Sequence, residues 1–64
     1  MRIRQWPNQL GWDIGRIEVR KCGSFLRVFS PMGVDRYKRL EVPVGISPVA
    51  AAIACRAVGD IVEE

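Results

Sequence analysis

Histidine is absent from this 64-residue chain. The commonest general base and the commonest nitrogen ligand for metals are therefore both missing. Cysteine is scarce: Cys22 and Cys55 are the only two. Structural zinc needs about four ligands, so two thiols without a histidine argue against a metal site. Small secreted scaffolds carry roughly four to eight cysteines, and the charged start MRIRQW is followed by no apolar h-region. Both cysteines are thus read as free thiols, and the expected location is cytoplasmic. Long hydrophobic runs are also lacking. The longest uncharged stretch, Val42 to Cys55, has fourteen residues and is broken by Pro43, Gly45, Ser47 and Pro48. A membrane-spanning helix needs about 20 apolar residues. The glycines are scattered singly, which excludes a glycine-rich phosphate loop, and no repeat period is visible. Asp13, Glu18, Asp35 and Glu41 read as solvated charges among basic residues, and Cys22 beside Lys21 has no histidine or neighbouring thiol to work with. The expectation is a non-enzyme with no cofactor and no metal.

What is present is an ordinary globular composition, 48% hydrophobic and 27% charged. Residues 1–64 are expected to form one small domain. A domain of this size buries only roughly 60% of the surface its unfolded chain exposes. Its core is therefore thin, and a partner surface would add to it. The net charge of +3 is unevenly spread. Residues 1–45 hold nine basic and four acidic residues, whereas residues 46–64 hold Arg56 against Asp60, Glu63 and Glu64. Eight of the ten basic residues are arginine, whose planar fork suits phosphate and carboxylate recognition.

Alternation of apolar and polar residues predicts strands at about 2–6, 12–21, 24–30 and 35–44, followed by a helix at about 48–62. Cys22-Gly23 reads as a tight hairpin connection, and Ser30-Pro31-Met32-Gly33 as a type I turn. Ser47 is a good N-cap with Pro48 at the first helical position, and the alanine-rich run that follows favours a helix. The predicted fold is α+β, a small antiparallel meander sheet of three to four strands packed on one C-terminal helix. The projected helix carries a wide apolar arc. Ala51, Ala54, Cys55, Val58 and Val62 are accordingly read as a second packing face that can support a homodimer.

The strands have two distinct faces. Ile17, Val19, Leu26, Val28, Leu40 and Val42 form one aliphatic set, expected under the helix. The opposite face presents Arg16, Arg20, Phe25, Arg27, Phe29, Tyr37 and Arg39, together with Glu18 and Glu41. A solvated sheet face is normally polar throughout. Arginines interleaved with aromatics suit nucleic acid, where guanidinium groups neutralise phosphate and rings stack on bases. The same types dominate protein interfaces. The alternative is that the segment with Trp6, Leu10 and Trp12 folds over this face and buries Phe25 and Phe29.

A three-stranded antiparallel sheet followed by one helix, here Trp12 to Val62, resembles the arm-binding domains of tyrosine integrases and the plant ethylene-response DNA-binding domain. The resemblance rests on strand order, with no shared motif, and no residue is carried over. It implies a sheet that enters the DNA major groove. The expected function is a non-enzymatic binding module that recognises nucleic acid through the arginine/aromatic face. The alternative is a phage- or mobile-element-type inhibitor or adaptor that binds a host protein or a nucleoprotein complex, such as a defence complex.

Overall fold

Every strand of this fold pairs with its neighbour in the chain. In the computed structural model, which describes residues 2–63, the order is β1 (Ile3–Gln5), β2 (Gly11–Ile14), β3 (Ile17–Cys22), β4 (Phe25–Pro31), β5 (Arg36–Pro43), α1 (Pro48–Val58) and β6 (Asp60–Glu63). The strands form one six-stranded antiparallel sheet in the order β1-β2-β3-β4-β5-β6. The helix crosses one face of it between β5 and β6. The architecture is α+β, as the alternation pattern predicted, with more strands than expected. Among the described residues no helix is long and apolar enough to cross a membrane.

Three features depart from the sequence reading. The turn expected at Ser30–Gly33 comes later, because Ser30 and Pro31 still pair with Lys38 and Tyr37 and the chain reverses between Met32 and Arg36, whose carbonyl oxygen accepts from the Met32 amide at 2.9 Å. The segment expected as one strand over 12–21 is a hairpin. Ile14 pairs with Ile17 across a two-residue turn, in which Gly15 takes φ 61°. This left-handed conformation is one that glycine adopts freely. The helix stops at Val58 rather than near residue 62. A Cβ at Gly59 would stand 2.5 Å from the Cys55 carbonyl oxygen and 3.2 Å from that of Arg39. Only glycine lets the chain pass this close to β5. The residues that follow pair with β5 as β6, Tyr37 opposite Val62 and Lys38 opposite Ile61.

The helix begins as its residues dictate. The Ser47 hydroxyl accepts from the Ala50 amide at 3.1 Å, and Pro48 opens the first turn. Its buried face is Ala51 and Ala52 with Cys55 one turn on, and these small side chains bring the helix close to the sheet. Beneath them lie Ile14, Ile17, Val19, Leu26 and Val28, all buried, with Trp12, Leu40, Val42 and Val49 packed at the margin. The aliphatic set expected under the helix is thus where it was placed. Each fully buried Val, Leu or Ile stabilises the fold by about 1.5–3 kcal/mol.

The expected dimer face is taken apart by this packing. Ala51 and Cys55 are wholly buried in the chain's own core, and Ala54 is half-buried. Val58 is exposed, and Val62 lies in a strand on the far side of the sheet. The five residues share no surface because the helix ends at Gly59 and turns its small-residue side inward. The residues facing outward are instead Ala50, Ile53 and Ala57.

Candidate interaction face of the sheet

The face not covered by the helix is open except where the Trp6 ring lies over Gly11. Register fixes its rows, because residues directly opposite one another in an antiparallel sheet share a face. One row runs Arg4, Asp13, Glu18, Phe29, Arg39, Asp60. The next runs Gly11, Arg20, Arg27, Glu41. Phe25 and Tyr37 lie on the same side by strand alternation. Six of the seven residues expected here are therefore brought together: Arg20, Phe25, Arg27, Phe29, Tyr37 and Arg39. Arg16 is not among them. It sits in the β2–β3 turn, because the hairpin at Gly15 removes it from any strand.

The aromatic groups are joined into a chain by an arginine. The Arg20 guanidinium carbon lies 5.1 Å from the Phe29 ring centre and 5.9 Å from the Trp6 ring centre. Such contacts stabilise by about 0.5–1 kcal/mol each at exposed sites. On its other side Phe29 meets Tyr37, the centres 5.8 Å apart and the planes inclined at 55°. The Arg20 Nη2 donates to Glu18 Oε2 at 2.8 Å, so the guanidinium is held from its edge as well. The result is a row, Trp6–Arg20–Phe29–Tyr37, in which each member restrains the next.

Trp6 reaches the face because the β1–β2 loop is tightly closed. Its amide donates to Gly11 O at 2.8 Å, its carbonyl accepts from the Gln9 amide at 2.9 Å, and Asn8 Oδ1 accepts from the Leu10 amide at 3.0 Å. The indole Nε1 donates to Asp13 Oδ1 at 2.9 Å. Space for the ring comes from Gly11. A Cβ there would lie 2.7 Å from Trp6 Cε3 and 2.8 Å from the Val19 carbonyl oxygen. The N-terminal segment thus covers part of the face through Trp6, while Trp12 turns to the helix side. Phe29 becomes half-buried, but Phe25 remains 49% exposed.

The electrostatics differ from a basic platform. Arg4, Arg20, Arg27 and Arg39 share the face with Asp13, Glu18, Glu41 and Asp60, so its formal charges cancel. Two of the arginines are already engaged, Arg20 with Glu18 at 2.8 Å and Arg27 with Glu41 at 3.4 Å. The chain's excess of positive charge lies elsewhere, on the turns and along the helix side. Next to Trp6, a depression of about 480 Å³ is bordered by Arg4, Asn8, Asp13 and Glu18, two of them carboxylates.

The sequence pattern points to Trp6 only through the alternative in which the N-terminal segment folds over this face, and does not point to Arg4, Asp13 or Asp60. Gly11 opposite Arg20 is the signal that a ring is seated there, and it is legible only once the register is known. Among the described residues no group of three or more Cys, Asp or Glu side chains gathers as a metal site. Cys22 and Cys55 are both free. No known protein-family model matches this chain, and no curated protein or solved structure is detectably similar to it.

Proposed function

We propose that this chain is a non-enzymatic protein-binding module that docks through the open face of its sheet. The observation that carries the reading is the composition of that face: an aromatic–arginine row with balanced charge. Phe, Tyr, Trp and Arg are the residue types on which binding energy concentrates at protein interfaces. Here they are already ordered by mutual contact, which lowers the entropy lost on docking. A nucleic-acid backbone would have to approach Asp13, Glu18, Glu41 and Asp60, and would draw Arg20 and Arg27 away from their carboxylates. A protein surface with its own mixed charges meets no such cost.

The test compares the wild type with a Phe25→Ala/Arg27→Ala variant. Arg27 is exposed, so its loss costs within about 0.5 kcal/mol, whereas the half-covered Phe25 ring costs roughly 1–2 kcal/mol, and circular dichroism checks that the variant is folded. Affinity capture from the native host, with nuclease present and at moderate salt, should return a stoichiometric protein complex with the wild type and not with the variant. In a parallel capture without nuclease, recovery of nucleic acid alone, with affinity falling steeply as salt rises, would overturn the reading in favour of nucleic-acid binding.

A further inference from the structure

The positive charge missing from the open face collects at the other side of the molecule. Between the β2–β3 turn and the last turn of α1 lies a cleft of about 420 Å³, lined by Ile14, Gly15, Arg16, Ile17, Ser30, Pro31 and Arg56. Binding clefts for small ligands span about 300–1,000 Å³. Two arginines from two different elements line this space and no carboxylate does, and Arg56 also borders a shallower depression beside Ile53 and Ala57. Among the described residues, neither Arg16 nor Arg56 takes part in an ion pair. Lys38 lies on the same side of the sheet but outside the lining of the cleft. It stands opposite Ser30 in the sheet, and its Nζ donates to the Arg56 carbonyl oxygen at 2.7 Å. Glu63, the carboxylate on the neighbouring strand, is engaged by Arg36 at 3.3 Å.

We infer that this cleft is a binding site for a phosphate monoester. Two arginines with no carboxylate in the same lining carry more donors than one carboxylate can satisfy, and a terminal phosphoryl group supplies three oxygens. Ser30 borders the same space as a further donor, and Ile14, Ile17 and Pro31 give an apolar bed for the organic part of the ligand. The site is separate from the open sheet face and does not depend on what that face binds.

The experiment is an amide-resolved NMR titration of the whole chain at constant ionic strength. The probes are inorganic phosphate, adenosine 5′-monophosphate, adenosine, an oligonucleotide with and without a 5′-phosphate, and a glutamate-rich peptide. The expected result is saturable shifts at Gly15, Arg16, Ile17, Ser30 and Arg56 with phosphate and, more tightly, with the monophosphate, but none with adenosine. Tighter binding of the phosphorylated strand than of the free nucleotide would identify a strand end as the source of the phosphoryl group. The reverse order would identify a small phosphate ester. Arg16→Gln and Arg56→Gln each weaken binding about tenfold, corresponding to ~1.4 kcal/mol. Both side chains are exposed, so the dispersed spectrum of the folded protein is retained. Shifts that do not saturate, binding unchanged in the double variant, or a response to the acidic peptide but not to phosphate would each overturn the assignment.

Discussion

Removing the Trp6 ring tests whether the open face is held in advance or merely available. Trp6→Ala deletes the indole bond to Asp13 at 2.9 Å and the contact with Arg20. The bond accounts for about 1 kcal/mol and the cation–π contact for about 0.5–1 kcal/mol. A half-buried indole also removes roughly 100 Å² of apolar surface from water, which adds about 2.5 kcal/mol. The expected loss is thus about 4 kcal/mol, set against the ~3–10 kcal/mol that a chain of this length possesses. Trp6→Phe keeps a ring over Gly11 and should lose only the bond, about 1 kcal/mol. Urea unfolding followed by far-ultraviolet circular dichroism measures all of these. A double-mutant cycle with Arg20→Ala isolates the pair and should return a coupling of about 0.5–1 kcal/mol. If Trp6→Ala costs under about 0.5 kcal/mol, the range of an ordinary surface site, and the coupling vanishes, the row does not exist in solution. Gly11 would then be no sign of a ring seated above it.

The orientation of α1 is tested by two substitutions at neighbouring positions. Ala51→Leu forces bulk into the wholly buried seam and should destabilise by about 1–3 kcal/mol, whereas outward-facing Ile53→Gln should stay within about 0.5 kcal/mol. The Cys55 thiol gives a pH signature. Its burial raises its pKa, a shift only partly opposed by Lys38 and by the hydrogen bond with the Ser30 backbone. A thiol is neutral when protonated, so the folded state holds this proton more tightly than the unfolded chain does. Stability should therefore be level below the unfolded thiol value, about 8.5, and fall as pH rises through the raised folded value. Thermal melts across that range should show the fall in wild type and in Cys22→Ala, and a shallower one in Cys55→Ala.

Much of this fold is legible in the sequence because the apolar alternation of β3, β4 and β5 is regular. Ile17, Val19, Leu26, Val28, Leu40 and Val42 identify their face without help from the structure. The β2–β3 hairpin is hidden for a physical reason. A two-residue turn exchanges the parity of the strand, so that even-numbered Trp12 and Ile14 join odd-numbered Ile17 and Val19 on one side. Gly15 reads equally well as a strand residue until its positive φ is seen. Misreading that turn is what placed Arg16 on the open face and left Asp13 off it. β6 is hidden differently. Ile61 and Val62 continue the helical spacing of Val58, and a four-residue strand is too short to impose a period of its own. Gly59 was the one available sign, and it acts through contact with β5, which lies far from it in sequence.

The neighbour-to-neighbour wiring of the sheet also bears on how the chain reaches this state. Each pairing closes a loop of a few residues, except β5 to β6, where α1 intervenes. Loop closure is the entropic cost that slows most β proteins, and it grows with the separation of the paired segments. Here assembly can proceed as a succession of adjacent hairpins, with the β3–β4 pair already joining Val19 to Val28 at the centre of the future core. On that route the helix would dock on a surface already formed and β6 would close the edge last, which would spare a chain with so thin a core a long search among compact intermediates.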